Sequence, residues 1–97
     1  MQLGKPPGGF QIVEPEPIKA LIASNAEKWP RLPQYWQEIK DRLKQTGHRE
    51  GIEVPRAPSG SKLFIAAGEP EAQLPTVKFA YLVLGTALYI RMIAVID

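Results

Sequence analysis

The sequence predicts a small α+β domain in which a strand, an αα-hairpin and then three strands build an antiparallel sheet with the helices on one face. Three observations predict it. Between residues 17 and 46 the apolar side chains recur at helical spacing. On either side of that stretch, short apolar runs are bounded by Gly and Pro. All ten prolines lie before residue 76, and the last 22 residues hold two dense apolar runs separated by Gly85-Thr86.

Taken in order, residues 1 to 9 are a Pro/Gly-rich opening, expected to form a flexible arm ahead of a single domain over 10–97. Phe10 to Val13 reads as a brief strand that nearby prolines allow only at a sheet edge. Pro17 suits a helix N1 position, and Ile18, Leu21, Ile22 and Trp29, with Ala26, give a stripe for a helix of about three turns. Pro33 opens a second helix whose face carries Leu32, Tyr35, Trp36, Ile39 and Leu43, and Thr46-Gly47 stops it. Turn chemistry from Gly47 to Ser61 reads as a loop around Ile52 and Val54. Lys62 to Ala67 is the next strand, and a connector with Pro70 and Pro75 leads to the closing hairpin.

A two-residue turn at Gly85-Thr86 fixes the expected register by counting outward: Leu84 with Ala87, Leu82 with Tyr89, Ala80 with Arg91, Lys78 with Ile93. Val77, Phe79, Tyr81, Val83, Leu88, Ile90, Met92 and Ala94 then form the face to be buried. Lys78, Tyr89 and Arg91 share the other face, with the two cations diagonal at roughly 7 to 8 Å.

Composition narrows the function. Ninety-seven residues suffice for one core, and a formal charge of +2 lacks the dense basic stripe of a duplex-DNA binder. There is no cysteine and a single histidine, His48, so thiolate chemistry and multi-histidine metal cages are excluded and no cofactor or metal is expected. The opening lacks the apolar run of a signal peptide, which makes the cytoplasm the expected compartment. The apolar block near 77–96 is long enough to span a bilayer as a helix, which leaves a small membrane protein as one alternative, but Arg91 would sit inside it and Gly85-Thr86 favours a hairpin.

The order strand, two helices, three strands, with Val77-Lys78-Phe79-Ala80-Tyr81 and Leu88 to Val95 as the closing hairpin, resembles the RelE/ParE superfamily of bacterial toxins from Phe10 onward. The family's third strand typically reads apolar, Arg, apolar, any, Tyr, and Lys78 here stands in place of the Arg. The resemblance implies a toxin of a toxin-antitoxin system, either an RNA-binding endoribonuclease acting on mRNA at the ribosome or a gyrase poison, neutralised by a small antitoxin protein. It also brings two departures: the second strand ends Ile65-Ala66-Ala67 without basic residues, and the family's basic, His- or Tyr-bearing tail after the last strand is not in this sequence.

RNA cleavage of that kind needs a base for the 2′-OH, cations for the phosphorane and an acid for the leaving oxygen. Lys78 and Arg91 are the candidate charge stabilisers and Tyr89 the candidate stacking or proton-transfer group, with no evident base. Lys40, Lys44, Arg49 and Lys62 are the candidate RNA-phosphate contacts, set against a plain solvated basic face. Trp29 and Trp36 lie on the helical apolar stripes as core residues. A non-catalytic binding protein on a degenerate toxin fold is the other reading.

Overall fold

A computed structural model of the chain describes residues 8–96, so residues 1 to 7 of the expected arm lie outside the described residues. The elements are β1 (Gln11–Val13), α1 (Glu16–Asn25), α2 (Leu32–Thr46), β2 (Ile52–Glu53), β3 (Ser61–Ala66), a 3-10 turn at Pro70–Ala72, β4 (Thr76–Leu84) and β5 (Ala87–Ile96). They form an α+β fold around one sheet of order β1-β5-β4-β3-β2.

Two expectations about the sheet are corrected. It has five strands rather than four, because Ile52 and Glu53 pair antiparallel with Leu63 and Lys62 instead of staying in a loop. It is mixed, because β1 runs parallel to β5. The amide of Phe10 donates to the Lys44 carbonyl at 2.9 Å and that of Gln11 to the Thr86 carbonyl at 3.0 Å, so the incoming chain is clamped between the end of α2 and the hairpin turn. Gly60 makes the β2–β3 return possible. Its φ of 92° is open only to glycine at low cost, and its carbonyl accepts the Val83 amide at 3.0 Å.

The first helix is shorter than its apolar stripe. It ends at Asn25, and Trp29, expected on its face, sits half-buried in the connector, where its amide reaches the Asn25 carbonyl and its own carbonyl accepts the Leu32 amide. Ile18 and Ile22 of α1 and Leu32, Trp36, Ile39 and Leu43 of α2 share a buried cluster with Val77, Phe79, Tyr81, Leu88 and Ile90. Phe79 is its centre: the edge of Trp36 meets it at 5.2 Å and Phe64 stacks on it at 5.3 Å.

Near the turn the hairpin keeps the expected register, with Leu84 opposite Ala87 and Leu82 opposite Tyr89, but beyond Tyr81 and Ile90 it does not. Ala80 pairs with Met92 rather than Arg91, and Lys78 with Ala94 rather than Ile93. Arg91 is the extra residue of a β-bulge. Every side chain after it therefore changes face: Ile93 and Val95 turn toward the core and pack on it, and Met92, expected inside, is 56% exposed. Ala94 moves with Met92. The exchange puts two β-branched residues inward in place of a methionine and an alanine, which is a net gain in buried apolar surface.

A polar latch holds the C-terminal end of α2 to the sheet. The buried Tyr81 hydroxyl donates toward the carbonyls of Gly47 at 2.8 Å and Glu50 at 2.9 Å. Its desolvation, reinforced by the Glu50 charge, raises the phenol's pKa, so it remains a donor throughout the physiological range. The Glu50 carboxylate accepts from Arg42 Nε at 2.8 Å and from Thr46 Oγ1 at 2.6 Å.

Two outcomes follow from the latch. Tyr81→Phe should destabilise the fold by about 1–3 kcal/mol, read as a lower denaturant midpoint, since the buried Gly47 carbonyl and the part-buried Glu50 carbonyl lose their donor. Burial of Glu50 opposes ionisation, but the hydrogen bonds from Arg42 and Thr46 and the nearby cations outweigh it and hold its pKa below the usual value. The unfolded chain then binds the proton first, so this contribution is fully present above about pH 4.3 and fades as pH falls through the lower folded value. Denaturation curves of Glu50→Gln should show a shallower loss of stability on acidification than the parent, and parallel pH profiles would refute this.

Candidate functional site on the open sheet face

The sheet's two faces differ sharply. Alternation from the observed register places Lys78, Ala80, Leu82 and Leu84 of β4 on the face opposite Phe79, with Tyr89, Met92, Ala94 and Ile96 of β5 and Leu63 and Ile65 of β3. There Ile65, Leu84 and Met92 are each more than half exposed, whereas Val77, Phe79 and Ile90 on the other face have no exposure at all. This open face is mostly apolar. Large exposed apolar patches on small proteins mark contact surfaces more often than chance.

Tyr89 and Arg91 meet on it. With Val13 and Pro15 at the end of β1, and with Leu82 and Leu84, they line a shallow groove of about 390 Å³. Tyr89 is half-buried, flanked in register by Val13 and Leu82, and Arg91 is exposed as the bulge residue. Lys78 does not join them. It faces Ala94, three residues along β5 from Arg91, so the bulge sets the two cations roughly 10 Å apart along the strand instead of leaving them as diagonal neighbours. The three residues expected to act together thus divide into a pair and an outlier.

The other basic candidates lie away from this face. Lys62 is 9% exposed and stands between Glu53 and Tyr81 in register, on the packed side of the sheet. Lys40 is committed to Glu14: its ammonium donates to Oε1 at 2.9 Å, while Trp36 Nε1 donates to Oε2 at 2.6 Å. With the Lys40 and Glu14 side chains only 16% and 10% exposed, this is a near-buried link that ties the end of β1 to the middle of α2. Lys44 pairs with Asp41 at 3.5 Å on the helix surface, and Arg49 is exposed beyond α2. Lys40, Lys44 and Glu14 border a second hollow of about 320 Å³ with Gln11, Ile12 and Gln37. Lys40 is therefore a structural cation, and phosphate would have to compete with Glu14 for it.

Among the described residues no general base is part of the open face. His48 sits beside Phe10, ring centroids 5.4 Å apart, with Nδ1 buried and without a hydrogen-bond partner among the described residues. No group of three His, Asp or Glu among the described residues is placed to hold a metal ion, and no described helix is long and apolar enough to cross a membrane. The sequence reading missed Glu14, whose partners are 22 and 26 positions away and carry no local signature. It also missed the apolar character of the open face, because the unbulged register hid Met92 in the core. Comparison with protein-family models, curated proteins and solved structures finds no match to the chain.

The cations should separate by mutagenesis. Glu14→Gln, which leaves the Lys40 ammonium nearly buried without its counter-charge, should cost about 1–3 kcal/mol in chemical denaturation. Lys78→Gln and Arg91→Gln should each stay within about 0.5 kcal/mol of the parent. Equal costs at all three positions would contradict the assignment of Lys40 to structure and of Lys78 and Arg91 to the surface.

Proposed function

We propose that this chain is a toxin of the toxin-antitoxin type on a RelE/ParE-like domain, acting in the cytoplasm by docking its open sheet face onto a macromolecular target. One observation carries the preference for docking over cutting. The open face presents exposed Ile65, Leu84 and Met92 around isolated cations, with no general base beside them among the described residues. An apolar surface of this kind gains free energy against another protein, whereas an RNA surface would gather its cations along the phosphate track. The order of strand, two helices and closing hairpin supports the family reading.

A small antitoxin would silence the protein by covering the same face. Among the described residues that face holds Lys78 and Arg91 and no acid, so the neutralising segment is expected to be apolar and acidic. A second reading, an mRNA endoribonuclease, has one specific observation behind it: Arg91 and Tyr89 line the same groove, where a guanidinium could hold a phosphate and a phenol could stack or transfer a proton.

Controlled expression with RNA profiling distinguishes the two. Docking predicts growth arrest with intact RNA, abolished by Leu84→Glu or Met92→Glu and weakened by Arg91→Gln. Fragmented mRNA that becomes intact in Arg91→Gln and Tyr89→Phe would replace docking with cleavage. Normal growth under full expression of folded protein would sink the toxin proposal altogether.

A further inference from the structure

The longest strand of the sheet is only partly flanked. β5 runs from Ala87 to Ile96, but β1 pairs with it only at Ala87, Leu88 and Tyr89 before the chain turns away at Pro15. From Ile90 onward no strand among the described residues lies on the side of β5 away from β4. Exposed edges are normally blunted by Lys, Pro or an inward charge. Among the described residues after Arg91 this one carries Met92, Ile93, Ala94, Val95 and Ile96.

The bulge decides which backbone groups that edge offers. Because the Thr86 carbonyl accepts from Gln11, even-numbered residues address β1 on the first part of β5 and odd-numbered ones address β4. The extra residue at Arg91 reverses this, so Met92, Ala94 and Ile96 address β4 while Ile93 and Val95 turn their N–H and C=O groups outward. The edge is also self-complementary. Around Ala94, Ile93 mirrors Val95 and Met92 mirrors Ile96, each pair sharing one face of the sheet.

We propose that a second copy of this chain pairs with it antiparallel along this edge, about a two-fold axis at Ala94, to make one continuous ten-stranded sheet. Ile93 of each copy exchanges both backbone hydrogen bonds with Val95 of the other, giving four bonds. Ile93 and Val95 extend the packed face across the axis. On the open face Met92, 56% exposed, meets Ile96, 45% exposed, so the two apolar faces become one.

Charge selects the edge over the face as the place where copies meet. In the edge pairing the two Arg91 residues stand six positions apart along the strand, roughly 20 Å, beyond the Debye length of about 8 Å. Stacking two open faces would instead enclose Lys78 and Arg91 of both copies in an apolar contact with no acid on that face among the described residues. A single strand pair lies below the roughly 1,200 Å² of a standard interface, so the dimer is concentration-dependent.

Sedimentation velocity over a dilution series, together with amide hydrogen exchange, tests it on the full chain. The expected result is a monomer–dimer equilibrium in which the Ile93 and Val95 amides exchange at least tenfold more slowly at the dimeric concentration than at the monomeric one. Val95→Pro removes an outward N–H that the β4 ladder does not use, and should give a folded monomer. Ala94→Lys, which sets two ammonium groups against each other at the axis on the solvated face, should do the same and carries the test if the proline variant fails to fold. A monomer at every attainable concentration overturns the proposal. So does a dimer that survives Ala94→Lys, or exchange at Ile93 and Val95 that ignores concentration.

Discussion

The bulge at Arg91 is the constraint on which the rest of this structure depends. A regular hairpin counted from Gly85-Thr86 would send Ile93 and Val95 to solvent and bury Met92 and Ala94, because a strand's side chains alternate without exception until a residue is inserted. One extra residue resets the count. Ile93 and Val95 then pack, partly buried, on the cluster around Phe79, and each gains a fraction of the roughly 1.5–3 kcal/mol that full burial of a branched aliphatic side chain is worth.

The same insertion shapes everything proposed for the open face. It leaves Arg91 exposed at the lip of a groove with Tyr89, moves Lys78 out of reach of both, and exposes Met92 beside Ala80. It also reverses the hydrogen-bonding parity of the last five residues of β5, so the free edge offers Ile93 and Val95 as its donors and acceptors. Elsewhere the polar groups serve the fold. Glu14 ties β1 to α2 through Trp36 and Lys40, and Tyr81 closes the end of α2 over the sheet through Gly47 and Glu50. With its helix cations drawn into such links or spread over the helix surface, the molecule offers a hydrophobic face with separated positive charges and, among the described residues, no basic track.

Much of this was legible in the residues. Helical spacing located α2, where Leu32, Trp36, Ile39 and Leu43 are all buried, and Gly85-Thr86 located the turn with Leu82 opposite Tyr89. Local signals carry that information: a 3.6-residue period and a glycine free to take positive φ. What escaped was non-local. The parallel pairing of β1 depends on contacts from Phe10 to Lys44 and from Gln11 to Thr86, and β2 depends on Leu63 being available eleven residues later. The bulge left only a faint trace, in that Ile90-Arg91-Met92-Ile93-Ala94-Val95 places β-branched residues at 90, 93 and 95, an alternation broken once at Arg91. For the site, the sequence pointed to Tyr89 and Arg91 on one face, whereas the separation of Lys78 and the exposure of Met92 required the register beyond Tyr81.

Cross-strand Hα–Hα nuclear Overhauser effects measure that register directly, since Hα atoms approach most closely in the non-hydrogen-bonded pairs of an antiparallel ladder. A bulge at Arg91 requires strong effects from Phe79 to Ile93 and from Val77 to Val95. A strong effect from Phe79 to Met92 would mean an unbulged hairpin, and would remove the open face, the groove and the free edge as they are described.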